Sequence, residues 1–105
     1  MIITKVPFRI SFFGGGTDFP EWFNGNKGHV ISTTIDKYCY VTCRLLPSFF
    51  DHKYRVTYSK VETTNTIDEI MLAPVREGLR FVKENRGMEI HYDADLPART
   101  GLGTS

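Results

Sequence analysis

Apolar residues along the chain fall first into a period of two, then into one of about 3.6, and finally back into two. Residues 2–13, IITKVPFRISFF, are β-branched and aromatic in rough alternation. They predict one or two short strands with an edge position or a bend at Pro7, whose ring removes a ladder donor. The alternation stops at Gly14-Gly15-Gly16-Thr17-Asp18, and Asn24, Gly25, Asn26 and Gly28 carry the irregular stretch as far as His29. Within it, Phe19 to Phe23 predicts one short helical turn, with Thr17 or Asp18 as its cap and Pro20 near its first position. Strand signals resume over 29–35 and 37–45, and Pro47 closes that run. Tyr54, Val56 and Tyr58 then alternate with Lys53, Arg55, Thr57 and Ser59, the pattern of a half-buried strand. A β-meander accounts for these pieces.

From Ile67 the period lengthens. Leu72, Val75, Leu79 and Val82 are spaced three, four and three apart, which predicts an amphipathic helix with Glu77, Lys83 and Glu84 off its apolar stripe. Pro74 suits the start of that helix and Asn85 to Gly87 its stop, while an interior Gly78 weakens it by roughly 1 kcal/mol relative to Ala. Met88, Ile90 and Tyr92 alternate with Glu89, His91 and Asp93, predicting a last strand before the loop from Pro97 to Gly103.

Composition narrows the function classes. A chain of 105 residues, 41% hydrophobic, makes about one small domain with a modest core. Thirteen Lys and Arg against twelve Asp and Glu leave a net charge of +1, without the basic excess that binding to a nucleic-acid backbone needs. No apolar run exceeds four residues, so no membrane span is expected. Lys5 and Arg9 interrupt the apolar start that a secretory signal would require, which makes the cytoplasm the default location. Cys39 and Cys43, four apart on one strand face, have poor disulfide geometry and no partner His or Cys pair elsewhere; they are expected to be buried as small hydrophobes.

Two glycine-rich segments carry candidate chemistry. In the first, Arg9 precedes Gly14, Gly15 and Gly16 by five residues, and Asp18 follows. A carboxylate accepts hydrogen bonds from sugar hydroxyls and a guanidinium meets phosphate oxygens, so the pair suits a hydroxylated, anionic ligand. The alternative is a flexible hairpin with a surface ion pair, but three glycines cost entropy that an ordinary hairpin does not require. The second segment, Gly101-Leu102-Gly103-Thr104-Ser105, follows a strand and would open a helix if the chain continued. Successive backbone N–H groups at such a helix start hold phosphate, and the hydroxyls of Thr104 and Ser105 add hydrogen bonds or coordinate Mg²⁺. Its spacing is neither that of the Walker loop nor that of the dinucleotide fingerprint, and a simple connecting turn remains equally open on spacing alone.

The wording of both segments resembles a known family. Pro7-Phe8-Arg9-Ile10-Ser11-Phe12-Phe13-Gly14-Gly15-Gly16-Thr17-Asp18-Phe19 is similar to the N-terminal substrate motif of the GHMP kinases, and Pro97-Ala98-Arg99-Thr100-Gly101-Leu102-Gly103-Thr104-Ser105 to the start of their ATP phosphate loop. The two motifs occur in the family's order, and the resemblance covers the whole chain. FGGGTDFPEWF, STTIDKY and DADLPARTGLGTS are most similar to the D-glycero-D-manno-heptose 7-phosphate kinases, which use ATP to phosphorylate an anomeric hydroxyl.

The resemblance implies an α+β fold of the ribosomal-protein-type two-layer kind: a mixed, largely antiparallel sheet with a packed helix, ending at the phosphate-binding loop. Residues 1–105 would then be the N-terminal part of an ATP- and substrate-binding domain, with the rest of that domain and a second domain beyond Ser105. By the same resemblance Gly101, Leu102, Gly103, Thr104 and Ser105 would cradle ATP, and Ser105 would help hold Mg²⁺. Arg9 would sit near the transferred phosphoryl group, while Gly14, Gly15, Gly16, Thr17 and Asp18 would line the sugar. Galactokinases have Glu and His in place of Gly15 and Gly16, and the wider loop here suits a longer sugar. Arg99 and Lys37 are candidates for that sugar's distal phosphate, against plain solvation.

The family's catalytic Asp lies after the phosphate loop, so this stretch alone is expected to be inactive; the partners implied are a sugar phosphate and ATP, with neither nucleic acid nor membrane. The rival readings are another anomeric sugar kinase of the L-fucose kinase type and a non-catalytic regulator that binds sugar or nucleotide on the same fold. An RNA-binding module, which the ribosomal-protein-like fold brings to mind, is disfavoured by the near-neutral charge.

Overall fold

The computed structural model describes residues 1–97. Five strands form one sheet: β1 (Ile2–Phe13), β2 (Ile31–Leu45), β3 (Tyr54–Thr57), β4 (Val61–Thr64) and β5 (Met88–Ala94), in the order β1-β2-β5-β3-β4. A short helix α1 (Pro20–Phe23) follows a 3₁₀ turn at Gly15–Asp18, and a longer helix α2 (Ala73–Val82) follows one at Ile67–Glu69. The expected mixed, mainly antiparallel α+β sheet with a packed helix is present.

The meander is not. Only β1–β2 and β3–β4 pair as sequence neighbours; β2 pairs antiparallel with β5, and β5 runs parallel to β3. The parallel step needs a crossover, which β4 and α2 supply. Strand β4, VETT, escapes a pattern reading because it is four residues long and has one apolar side chain.

Long strands replace the expected broken ones. β1 runs unbroken through Pro7, which lies on an edge strand as its missing donor requires. The irregularity beside it falls mainly on β2: Pro7 pairs with Tyr38 but Arg9 with Thr34, so β2 carries two extra residues and still continues as one strand. Phe8, at this step, is 4% exposed.

The core lies between α2 and one sheet face. Tyr54, Val56, Ile70, Val75, Leu79 and Ile90 are buried there, with Val41, Cys43, Leu72 and Met88 packed against them. Val75 and Leu79 are the centre of the predicted stripe, whereas Val82 at its end is 65% exposed. The helix covers the β5–β3 part of the face and leaves an apolar groove of about 460 Å³ toward β1, where Ile2 and Val41 line the wall. Cys39 and Cys43 are free and half-buried, less enclosed than expected.

Two terminators differ from expectation. Helix α2 stops at Lys83, which takes the left-handed conformation (φ 55°) while its amide bonds back to Leu79 and Arg80. Gly87 serves the sheet instead: a β-carbon there would stand 2.8 Å from the Lys53 carbonyl oxygen, and its own carbonyl accepts the Leu46 amide. At the other end, the N-cap residue Leu72 has no capping side chain, and the Glu62 carboxylate on β4 accepts the amides of Met71 (2.9 Å) and Leu72 (3.2 Å).

Candidate functional site

The first glycine-rich segment leaves β1 and returns to β2 through a loop held by its own main chain. Gly14 turns the chain with φ 89°, a conformation that L side chains avoid. Its carbonyl accepts the Thr17 amide at 2.9 Å and the Thr17 hydroxyl at 2.7 Å, closing the 3₁₀ turn. The same hydroxyl lies 3.3 Å from the His29 carbonyl, on the segment that leads back into β2. The helical turn predicted from Phe19 to Phe23 is present as α1, with Pro20 at its start. Its N-cap is Phe19, without a side-chain cap, because Thr17 is already engaged within the preceding turn. After α1 the loop is closed by Trp22, whose indole donates to the Lys27 carbonyl at 3.2 Å, and by the Asn26 amide bonding to the Trp22 carbonyl at 3.0 Å.

Arg9, Gly15, Gly16 and Asp18 are all exposed. Arg9 lies on β1 opposite Thr34, and Asp18 ends the 3₁₀ turn. The two do not pair with each other, so the surface ion pair of a plain hairpin is absent and both side chains face solvent. The loop therefore offers a carboxylate and a bare backbone, with a guanidinium on the strand leading into it. Arg99, Gly101, Leu102, Gly103, Thr104 and Ser105 fall outside the described residues, and with them the expected phosphate cradle and metal ligand. Among the described residues no group of three or more His, Cys, Asp or Glu converges to hold a metal ion, and no helix is long and apolar enough to cross a membrane.

Pattern reading passed over a charged cluster on the sheet face away from α2. Glu89 is 5% exposed and sits between Arg44 on β2 and Arg55 on β3, its registered neighbours. It pairs with Arg44, lies 3.6 Å from Arg55 and 3.4 Å from the His91 ring. Burial pushes its carboxyl up, but hydrogen bonds from Arg44 and His91 and the charges of Arg44 and Arg55 outweigh that and leave it below the ordinary carboxylate value. The alternation of β5 marks Glu89 and His91 as sharing a face; the partners come from strands distant in sequence. The His52 ring lies beside Phe50, with its Nε2 buried and without a hydrogen-bond partner among the described residues. On the helix side, the hydrogen bond to Cys39 and burial push the Tyr92 hydroxyl up to about 12, and burial raises the Cys43 thiol.

No protein-family profile and no curated relative matches the chain. Among solved structures, the chain superposes on a D-glycero-D-manno-heptose 1-phosphate kinase from Bacteriodes thetaiotaomicron with a TM-score of 0.73 at 20% identity. The match covers 99% of this chain and 37% of that kinase. The order of strands that overturns the meander thus belongs to a known architecture, and the chain has the fold of part of that kinase.

Proposed function

We propose that this chain forms the acceptor-binding part of an ATP-dependent sugar kinase whose substrate is D-glycero-D-manno-heptose 7-phosphate, phosphorylated on its anomeric hydroxyl to the 1,7-bisphosphate. The fold shared with a heptose phosphate kinase over 99% of the chain carries this reading. The loop supports it chemically. Asp18 accepts hydrogen bonds from sugar hydroxyls, and Arg9 meets the oxygens of the transferring phosphoryl group.

In this reading the remaining parts come from residues 98–105 and from polypeptide beyond them. Arg99 binds the sugar's distal phosphate, and the main chain of Gly101, Leu102, Gly103 and Thr104 holds the ATP phosphates. Ser105 would supply a hydroxyl to Mg²⁺, a metal that keeps water and nucleotide phosphates as most of its ligands. When bound, the metal neutralises charge on the phosphates. In this reading the group that takes the hydroxyl proton would also come from polypeptide outside residues 1–105; the chain spans 37% of the length of the matched kinase.

ADP release by the full-length protein tests this reading, with heptose 7-phosphate, heptose 1-phosphate, fucose, galactose and mannose as acceptors. Turnover with heptose 7-phosphate is expected. Turnover only on an unphosphorylated sugar overturns the substrate, and sugar binding without ADP release would establish the non-catalytic regulator instead.

A further inference from the structure

The β2–β5 ladder ends on a side chain. Cys39 pairs with Ala94, and the next step of that register brings Tyr38 opposite Asp95. The Asp95 amide donates to the Tyr38 carbonyl at 2.9 Å, as an antiparallel pair requires. The Tyr38 amide, however, donates at 2.8 Å to the Asp95 carboxylate, where a regular pair would use the Asp95 carbonyl. The chain bends at Asp95 and Leu96, and Pro97 has no amide to give to a ladder. The carboxylate thus supplies the last acceptor for β2 while its own main chain turns out of the sheet.

Tyr38 joins this exit to another strand. On its other side it pairs with Pro7 on β1, two residues before Arg9, at the point where β2 carries its two extra residues. The Lys5 ammonium, also on β1, lies 3.9 Å from the centre of the Tyr38 ring. Through Tyr38, therefore, the strand that carries Arg9 is bonded to the residue at which the chain leaves the sheet, shortly before residues 98–105. The Tyr38–Asp95 bond is exposed and neither residue belongs to the core, so its loss costs the fold little.

We propose that Asp95 is a positioning residue for the nucleotide: its carboxylate, bonded to the Tyr38 amide, fixes where the chain departs from the sheet and so sets residues 98–105 in register with Arg9. This rests on the kinase reading and deepens it, since in that reading the departing segment holds the ATP phosphates. Phosphoryl transfer depends mostly on position and charge, so a departure point that slips weakens nucleotide binding and turnover, while the acceptor loop between β1 and β2 is untouched.

The test compares Asp95→Ala and Asp95→Asn in the full-length protein; Asn keeps an oxygen that accepts the Tyr38 amide, and Ala does not. Asp95→Ala should unfold near the wild-type temperature and exchange the Tyr38 amide faster. It should weaken ATP binding, read by titration calorimetry, about tenfold or more and lower kcat/KM for ATP by a similar factor, with the sugar KM within about twofold. Asp95→Asn should stay within about threefold of wild type in every measure. Unchanged ATP affinity in Asp95→Ala overturns the inference. So does equal loss in both variants, which would assign the effect to the charge rather than the bond, and so does early unfolding of Asp95→Ala, which would make the bond part of the fold's own stability. A wild-type protein that binds no ATP overturns the kinase reading itself, and that result is read before any variant is compared.

Discussion

Arg44 on β2 and Glu89 on β5 stand directly opposite each other, and their ion pair is joined from the far side by Arg55 on β3. One carboxylate therefore ties β5 to two strands that lie far earlier in the sequence. Because the folded carboxyl is held below its ordinary value, it contributes stability that is present above the unfolded value, near pH 4.3, and is lost as pH falls through the folded one. Glu89→Gln should cost about 1–3 kcal/mol at pH 7 and flatten the acid limb of the stability curve below about pH 4. Urea unfolding between pH 3 and 7 reads both; an unchanged acid limb would show that the pair contributes nothing.

Glu62 should matter for the start of α2. Its carboxylate takes the place of a capping side chain that Leu72 cannot provide. Glu62→Ala should cost roughly 1 kcal/mol, with faster amide exchange at Met71 and Leu72 than elsewhere in the helix. Uniform exchange along α2 would contradict the assignment.

Gly14→Ala should be far more harmful than Gly15→Ala or Gly16→Ala. Left-handed strain alone costs about 1–3 kcal/mol, and the β-carbon also meets the His29 carbonyl. Thermal unfolding of the three alanine variants side by side orders them.

Arg9→Ala should leave unfolding unchanged, since the side chain is exposed, while lowering kcat in the full-length enzyme about a hundredfold or more. Asp18→Asn should act on the sugar instead, raising its KM about tenfold with little change in the KM for ATP. Wild-type turnover in Arg9→Ala would remove Arg9 from the site.

Alternation and period made most elements legible: Tyr54 and Val56 on β3, Val75 and Leu79 on α2, and Ile90 on β5 all meet in the core as their spacing required. Strand order was not legible, because a period of two says which face a residue takes but not which strand lies beside it. Nothing in KYCYVTCRL pointed to β5 as the partner of β2 rather than β3. Lys83 was missed as the helix stop because its left-handed backbone carries no sequence mark, unlike the glycine at 87 that drew the expectation away. In the loop, GGGTD could be read as a ligand motif, but the close packing of Gly14 against His29, with Gly15 and Gly16 left open, depends on where the chain returns at Gly28 and His29. That return is a tertiary fact.

Phosphorus NMR of the full-length protein with ATP and heptose 7-phosphate reads out whether a phosphoryl group passes to the anomeric hydroxyl. A new phosphate resonance coupled to the anomeric proton, growing in step with ADP, is the predicted result. ADP without that resonance, or a new phosphate on any other carbon, would contradict it.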